Sequence, residues 1–194
     1  TSTNNEVSGC AFSGISGHAA AGAVLLLQTN VRALNNTIDN CAEGVGTNYM
    51  DGEVYAGVLT AQGNVVTATP TGFNCSGLAA GSLIGGVGAQ ANTITVPAGG
   101  QGILAYWTVG AVDVRGHTIN ATGTGSGIWI GRSQTPATRV AVENNMIAAT
   151  GSSSPMVGDG TGVWVYDVGT RISEPTGYRA AYAWRGAAYL LQGN

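Results

Sequence analysis

Asp113 and Glu143 are the one pair of carboxylates whose spacing suits acid–base chemistry, and Arg115 falls between them. In a strand, Asp113 and Arg115 share one face, because side chains alternate with a period of two. If the strand at 140–143 stacks beside the strand at 112–115, Glu143 takes the Arg115 position one strand over. The backbones of Asp113 and Glu143 then lie about 8 Å apart. A carboxyl pair separated by about 6.5–9.5 Å suits an inverting glycosidase, with one acid and one base. A cation between them favours both charged forms, whereas the acid must start protonated. The other reading is a surface ion pair of little energetic weight. No glycosidase activity is expected from the isolated chain. His117 follows closely, in Arg115-Gly116-His117-Thr118. A lone histidine of this kind is more often hydrogen-bonded scaffold than catalyst.

Aromatic residues form the second constellation. The segments that begin at Gly102, Gly127 and Gly162 align. Their outward positions would stack Leu104, Trp129 and Trp164 in one row, and Tyr106, Gly131 and Tyr166 in the next, with Trp107 at the edge. An exposed apolar patch of this size calls for a partner. Flat aromatic faces take sugar rings, and Trp and Tyr also anchor protein interfaces. Tyr106, Trp107, Trp129, Trp164 and Tyr166 are therefore candidates either for glycan contact or for burial under a sister subunit or the C-terminal tail.

A repeat must hold these residues in place. Val7, Ile38, Val66, Ile94, Ile119 and Ile147 each stand two places after Asn5, Asn36, Asn64, Asn92, His117 and Asn145. The steps between those anchors are 31, 28, 28, 25 and 28 residues. A period of this length means a solenoid, propeller or array. Five places before the anchor stand Val31, Leu59, Val87, Val112 and Val140, and three before it Ala33, Ala61, Ala89, Val114 and Val142. Alternation with polar residues makes these strands with one buried face. Five places after the anchor come Cys10, Cys41, Pro97, Thr122 and Thr150, and Cys75 joins them if Thr67–Phe73 loops out. Each is followed by a Gly-rich turn and a Gly–aliphatic step such as Gly102-Ile103. One repeat thus holds two or three short strands, one coil of a β-solenoid whose coils bury a core only by stacking.

The segments Asn35-Asn36-Thr37-Ile38, Gly116-His117-Thr118-Ile119 and Asn144-Asn145-Met146-Ile147 carry a resemblance to a known family. The repeat resembles the right-handed parallel β-helix of the pectin-lyase-like superfamily and of phage tailspikes. The resemblance runs to about Pro175. It implies a fold used for many functions. Polygalacturonases of this fold carry a Gly-His-Gly element and clustered Asp residues. Here Thr118 replaces the second Gly, and no Asp-Asp pair occurs. No acidic cluster of the kind that holds calcium in pectate lyases is present either.

Composition narrows the classes further. The chain has 194 residues, 32 of them Gly, and only 9% are charged, with no Lys. A net charge of −3 with seven scattered Arg argues against nucleic acid, which requires a basic stripe. No apolar run reaches the length of a membrane span. No cofactor motif and no metal-ligand cluster is evident. Cys10 and Cys41 share a register in adjacent coils, so they are either a disulfide across coils or part of a ladder of reduced, buried thiols. The three Asn-x-Ser/Thr sequences at Asn35, Asn74 and Asn120 read as ladder and turn residues. Residues 46–56 and 67–74 read as insertions that could form a binding rim. The chain opens at Thr1 inside a repeat, which suggests trimming, processing or a stacking partner at that end.

These readings give a single right-handed parallel β-helix of about seven coils over residues 1–175. Residues 176–194 follow as a C-terminal cap or subunit contact. The expected role is an extracellular, cell-surface or virion module that contacts polysaccharide within an oligomer. The alternatives are a β-helical lyase or hydrolase using Asp113, Arg115 and Glu143, and a purely structural filament or virion element.

Overall fold

The computed structural model describes residues 2–8, 13–18, 30–48, 57–106, 111–122, 126–131, 138–150, 156–159, 163–173, 181–184 and 187–192. These residues form an all-β parallel solenoid. Each turn adds one strand to each of three sheets, and every strand pairing is parallel. Among the described residues sheet A has eight strands, from Ser2–Thr3 to Ala188–Gln192. Sheet B has seven, from Glu6–Ser8 to Arg171–Ser173. Sheet C also has seven, from Ser13–His18 to Ala181–Trp184.

The six aliphatic residues of the repeat stack in one column of sheet B, and the register extends to Ile172. Ile38, Val66, Ile94, Ile119 and Ile147 are all buried. Sheet C contributes Val45, Phe73, Ile103 and Ile128 to the same core. Sheet A contributes Val31, Leu59, Val112, Val140 and Val165.

Sheet A departs from the expected register at one coil. Val87 and Ala89 do not enter the core. Val87 is 82% exposed. The strand of that coil is Ser82–Gly85, with Ser82 opposite Val112 and Ile84 opposite Val114. A short excursion with a 3-10 turn at Gly88–Gln90 then carries the chain to Asn92. Ser82 fits a core column because its hydroxyl donates to the Ala79 carbonyl (2.8 Å) and accepts from the Leu59 amide (3.1 Å).

The corner between sheets A and B has its own chemistry. The residue just before the ladder position has positive φ at Asn4, Asn35, Gly63, Gly116, Asn144 and Gly169. Asn and Gly are the residues that accept this left-handed conformation most readily. The turn aims the next amide away from the regular strand ladder, so a side chain must accept it. Asn36 Oδ1 takes the Asn5 amide (3.1 Å), Asn64 Oδ1 takes that of Asn36 (3.0 Å), and Asn92 Oδ1 takes that of Asn64 (2.8 Å). Asn145 Oδ1 accepts from the His117 amide (3.0 Å), and Thr170 Oγ1 from the Asn145 amide (3.3 Å). Thr170 is a ladder member that a search for Asn and His misses. Its frame, Gly169-Thr170-x-Ile172, matches Gly116-His117-x-Ile119.

The corner between sheets B and C requires glycine for a different reason. A Cβ on Gly102 would meet the Gly127 carbonyl oxygen at 2.5 Å and the Ile119 Cγ2 at 2.6 Å. Gly44 and Gly72 face the next coil in the same way. The Gly–aliphatic step of the repeat is thus the point of closest backbone approach.

Residues 67–74 are not an insertion. Thr71–Ser76 is a regular strand of sheet C, and Thr69 holds the corner position of Cys41. Thr69 Oγ1 bonds the Thr67 carbonyl (2.8 Å) as Cys41 Sγ bonds that of Asp39 (3.5 Å). Cys75 therefore does not join the Cys41 row; it pairs with Thr47 and Ala105. Of the other segment, residues 43–48 form a strand, and 49–56 lie outside the described residues. The tail expected as a cap or contact carries the outermost strands of sheets C and A, at Ala181–Trp184 and Ala188–Gln192.

Candidate functional site

Register sets a polar row and two mixed rows across sheet C. The polar row runs through Glu43, Thr71, Gln101 and Ser126. The next runs through Asn74, Leu104 and Trp129, and continues by register to Val157 and Tyr182. The third holds Ser76, Tyr106 and Gly131, and continues to Asp159 and Trp184. Gly131 leaves room for a ring. A Cβ there would meet Tyr106 Cε1 at 2.3 Å and Trp129 Nε1 at 3.3 Å. The Tyr106 ring therefore lies across the Gly131 backbone, with the Trp129 indole beside it. Both aromatic residues are half-buried. Asn74, in the row of Leu104 and Trp129, donates to Glu43 Oε1 at 2.6 Å.

Trp164 and Tyr166 do not share this face, which corrects the row expected for the aromatic residues. Their strand, Val163–Val168, belongs to sheet A, where Trp164 lies opposite Arg139 and Ala188, and Tyr166 opposite Ala141 and Leu190. The strand beside Ser126–Gly131 is Met156–Asp159. Gly162-Val163 imitates the Gly–aliphatic step that opens sheet C strands elsewhere, while Met156-Val157-Gly158-Asp159 lacks it. The same step therefore opens a strand of sheet A as well. The aromatic members that register does bring to sheet C are Tyr182 and Trp184. Trp107 lies outside the described residues.

The charged group lies on sheet A. Arg115 is opposite Glu143, and Asp113 opposite Ala141. The Arg115 guanidinium hydrogen-bonds Asp113 and stands 3.9 Å from Glu143 Oε2. All three side chains are about one-third exposed or more. Each carboxylate thus faces the cation. We expect no new reducing ends when the purified chain is incubated with acidic or neutral polysaccharides. Release that vanished in both Asp113→Asn and Glu143→Gln would reverse this.

His117 is part of the ladder and is buried. Cys75 is likewise buried, and burial first, then the nearby Glu43 charge, pushes its thiol up to about 12. That thiol is not a nucleophile at neutral pH. Cys75 is a free thiol, Cys41 is buried beside the Asp39 carbonyl, and Cys10 lies outside the described residues. Among the described residues no group of three His, Cys, Asp or Glu converges on a metal position, and no helix is long and apolar enough to cross a membrane.

Comparison with known protein families, with curated proteins and with solved structures finds no match to the chain. The chemistry of the faces themselves therefore carries the functional argument.

Proposed function

We propose that the chain is a surface module, extracellular or on a virion, that contacts polysaccharide through the outer face of sheet C. One observation carries this reading: the Tyr106 ring laid across Gly131 beside the Trp129 indole. A planar aromatic shelf on a stiff sheet accepts a sugar face with little ordering cost. Asn74, Glu43 and Gln101 supply polar groups along its edge, as a sugar's hydroxyls require. The reading extends the resemblance to pectin-lyase-like β-helices and tailspikes. It includes their right-handed coil, the sense that parallel crossovers nearly always take. Assembly into an oligomer with neighbouring chains belongs to the same proposal.

The test is binding of the intact chain to a panel of neutral and acidic polysaccharides, followed by indole fluorescence. Trp129→Ala and Tyr106→Ala should each weaken binding about thirty-fold, the effect of losing an aromatic anchor worth about 2 kcal/mol. Their circular dichroism should stay native. Unchanged binding in both variants would remove sheet C from the proposal. A shift to monomer without loss of glycan binding would make the face a subunit interface. No binding by the parent chain would favour a structural element of a filament or virion. A β-helical lyase or hydrolase would betray itself by consuming the glycan.

A further inference from the structure

The ladder has a direction. Asn5, Asn36 and Asn64 each offer a backbone amide and Nδ2 to the Oδ1 of the next coil's asparagine, at 2.8–3.1 Å. Asn92 cannot rotate freely within this chain. Its Oδ1 receives Asn64, and its Nδ2 also donates to the Ala61 carbonyl (2.9 Å). It therefore presents an N–H group to His117, whose Nδ1 stands 3.5 Å away. The other ring nitrogen, Nε2, lies 2.9 Å from the Ile84 carbonyl oxygen. A carbonyl only accepts, so Nε2 carries the hydrogen and Nδ1 keeps its lone pair. The ring is boxed in. Gly85 lies so close that a Cβ there would meet the ring at 2.8 Å, and the Phe73 ring stands tilted at 59° to it with a centroid distance of 6.4 Å.

We propose that His117 is an acid-sensitive latch, at which proton uptake on Nδ1 opens the corner joining the strands at 82–85 and 93–96 to those at 112–115 and 118–122. A proton on Nδ1 would set two donors against each other. Turning the Asn92 amide to receive it would strip Asn64 of its acceptor and set Asn92 Oδ1 against the Ala61 oxygen. The fold thus has no arrangement that satisfies the imidazolium. No described charged group faces the ring to offset this. On the sheet C side stand Phe73 and the neutral Cys75 thiol. On the sheet A side Ile84 and Gly85 carry no charge, and Arg115 and Glu143 project from the outer face. Asn92 and Asn145 are uncharged.

Burial is the larger influence and the Ile84 bond the smaller, opposing one; together they lower the group's pKa from 6.5 to about 4. The folded state binds fewer protons than the unfolded state between those values. Stability is then full above about pH 6.5 and falls as pH drops toward 4. Between pH 7 and pH 5 this one residue should raise the unfolding equilibrium constant about twenty-fold.

The experiment compares urea unfolding of the full chain and its His117→Asn variant at pH 7 and pH 5. Asn restores the residue used elsewhere in the ladder, and the carboxylates contribute equally to both proteins. The parent should lose stability about twenty-fold more than the variant. In parallel, NMR of the parent should show the His117 ring as the Nε2–H form, titrating near pH 4, with His18 as the second histidine signal. Titration near 6.5, an Nδ1–H ring, or equal acid responses in the two proteins would overturn the proposal. If His117→Asn does not fold, the ring titration of the parent decides.

Discussion

Val112→Asp should leave the chain unfolded at neutral pH, whereas Val87→Asp should be silent. Both valines begin a Val-x-Val or Val-x-Ala step five places before a ladder residue, and by sequence they are equivalent. By structure they are opposites: Val112 is fully buried between Ser82 and Val140, and Val87 is 82% exposed. A carboxylate at Val112 would meet no cation inside the column. Its burial costs several kcal/mol, comparable with the whole stability of a domain, about 5–15 kcal/mol. An exposed change of the same kind stays within about 0.5 kcal/mol. Circular dichroism and gel filtration of the two variants read the result directly. Equal damage in both would show that Val87 belongs to the core column after all.

Asn64→Leu should destabilise nearly as severely, though leucine is larger and more apolar. Asn64 Oδ1 accepts both the amide and the Nδ2 of Asn36, and its own Nδ2 serves the Ala33 carbonyl. Leucine would orphan these buried groups, at about 1–3 kcal/mol each. A loss of roughly 4 kcal/mol is expected in urea unfolding. Asn5→Leu provides the contrast. Asn5 is exposed, whereas Asn64 is fully buried. That variant should lose less than about 1 kcal/mol. Similar losses at the two positions would mean that the ladder is not cooperative support but local decoration.

The parts of this fold that were legible in sequence are those where the geometry fixes the count of residues. From ladder residue to the sheet B aliphatic is always two positions, because a tight corner and one outward residue separate them. That column was readable without error from Val7 to Ile147. The sheet A strand precedes the corner at no fixed distance. At Ser82–Gly85 five residues, Gly86–Gln90, intervene before Ala91 and Asn92, and Val87-Gly88-Ala89 imitates the missing strand. The candidate site suffered from the same ambiguity. Leu104, Trp129 and Tyr106 are legible as neighbours because each follows the glycine that close coil packing demands. Trp164 and Tyr166 follow such a glycine too, but in a strand of another sheet. Thr170 is harder to read because a hydroxyl can accept the amide of a ladder asparagine as well as another amide can. The direction of the ladder, and with it the distinctive position of His117, depends on which atom donates, which no spacing of letters reveals.

The five-residue excursion after Gly85 shows how a rigid spine tolerates novelty. Its neighbours, the strands at 59–62 and 112–115, still meet the strand at 82–85 in frame, and Asn92 still takes its rung. Extra length is vented outward where the backbone is already turning, and each doubling of such a loop adds only about 0.6 kcal/mol of closure entropy. A corner of one coil can thus carry new surface while the hidden frame of its neighbours stays as it is.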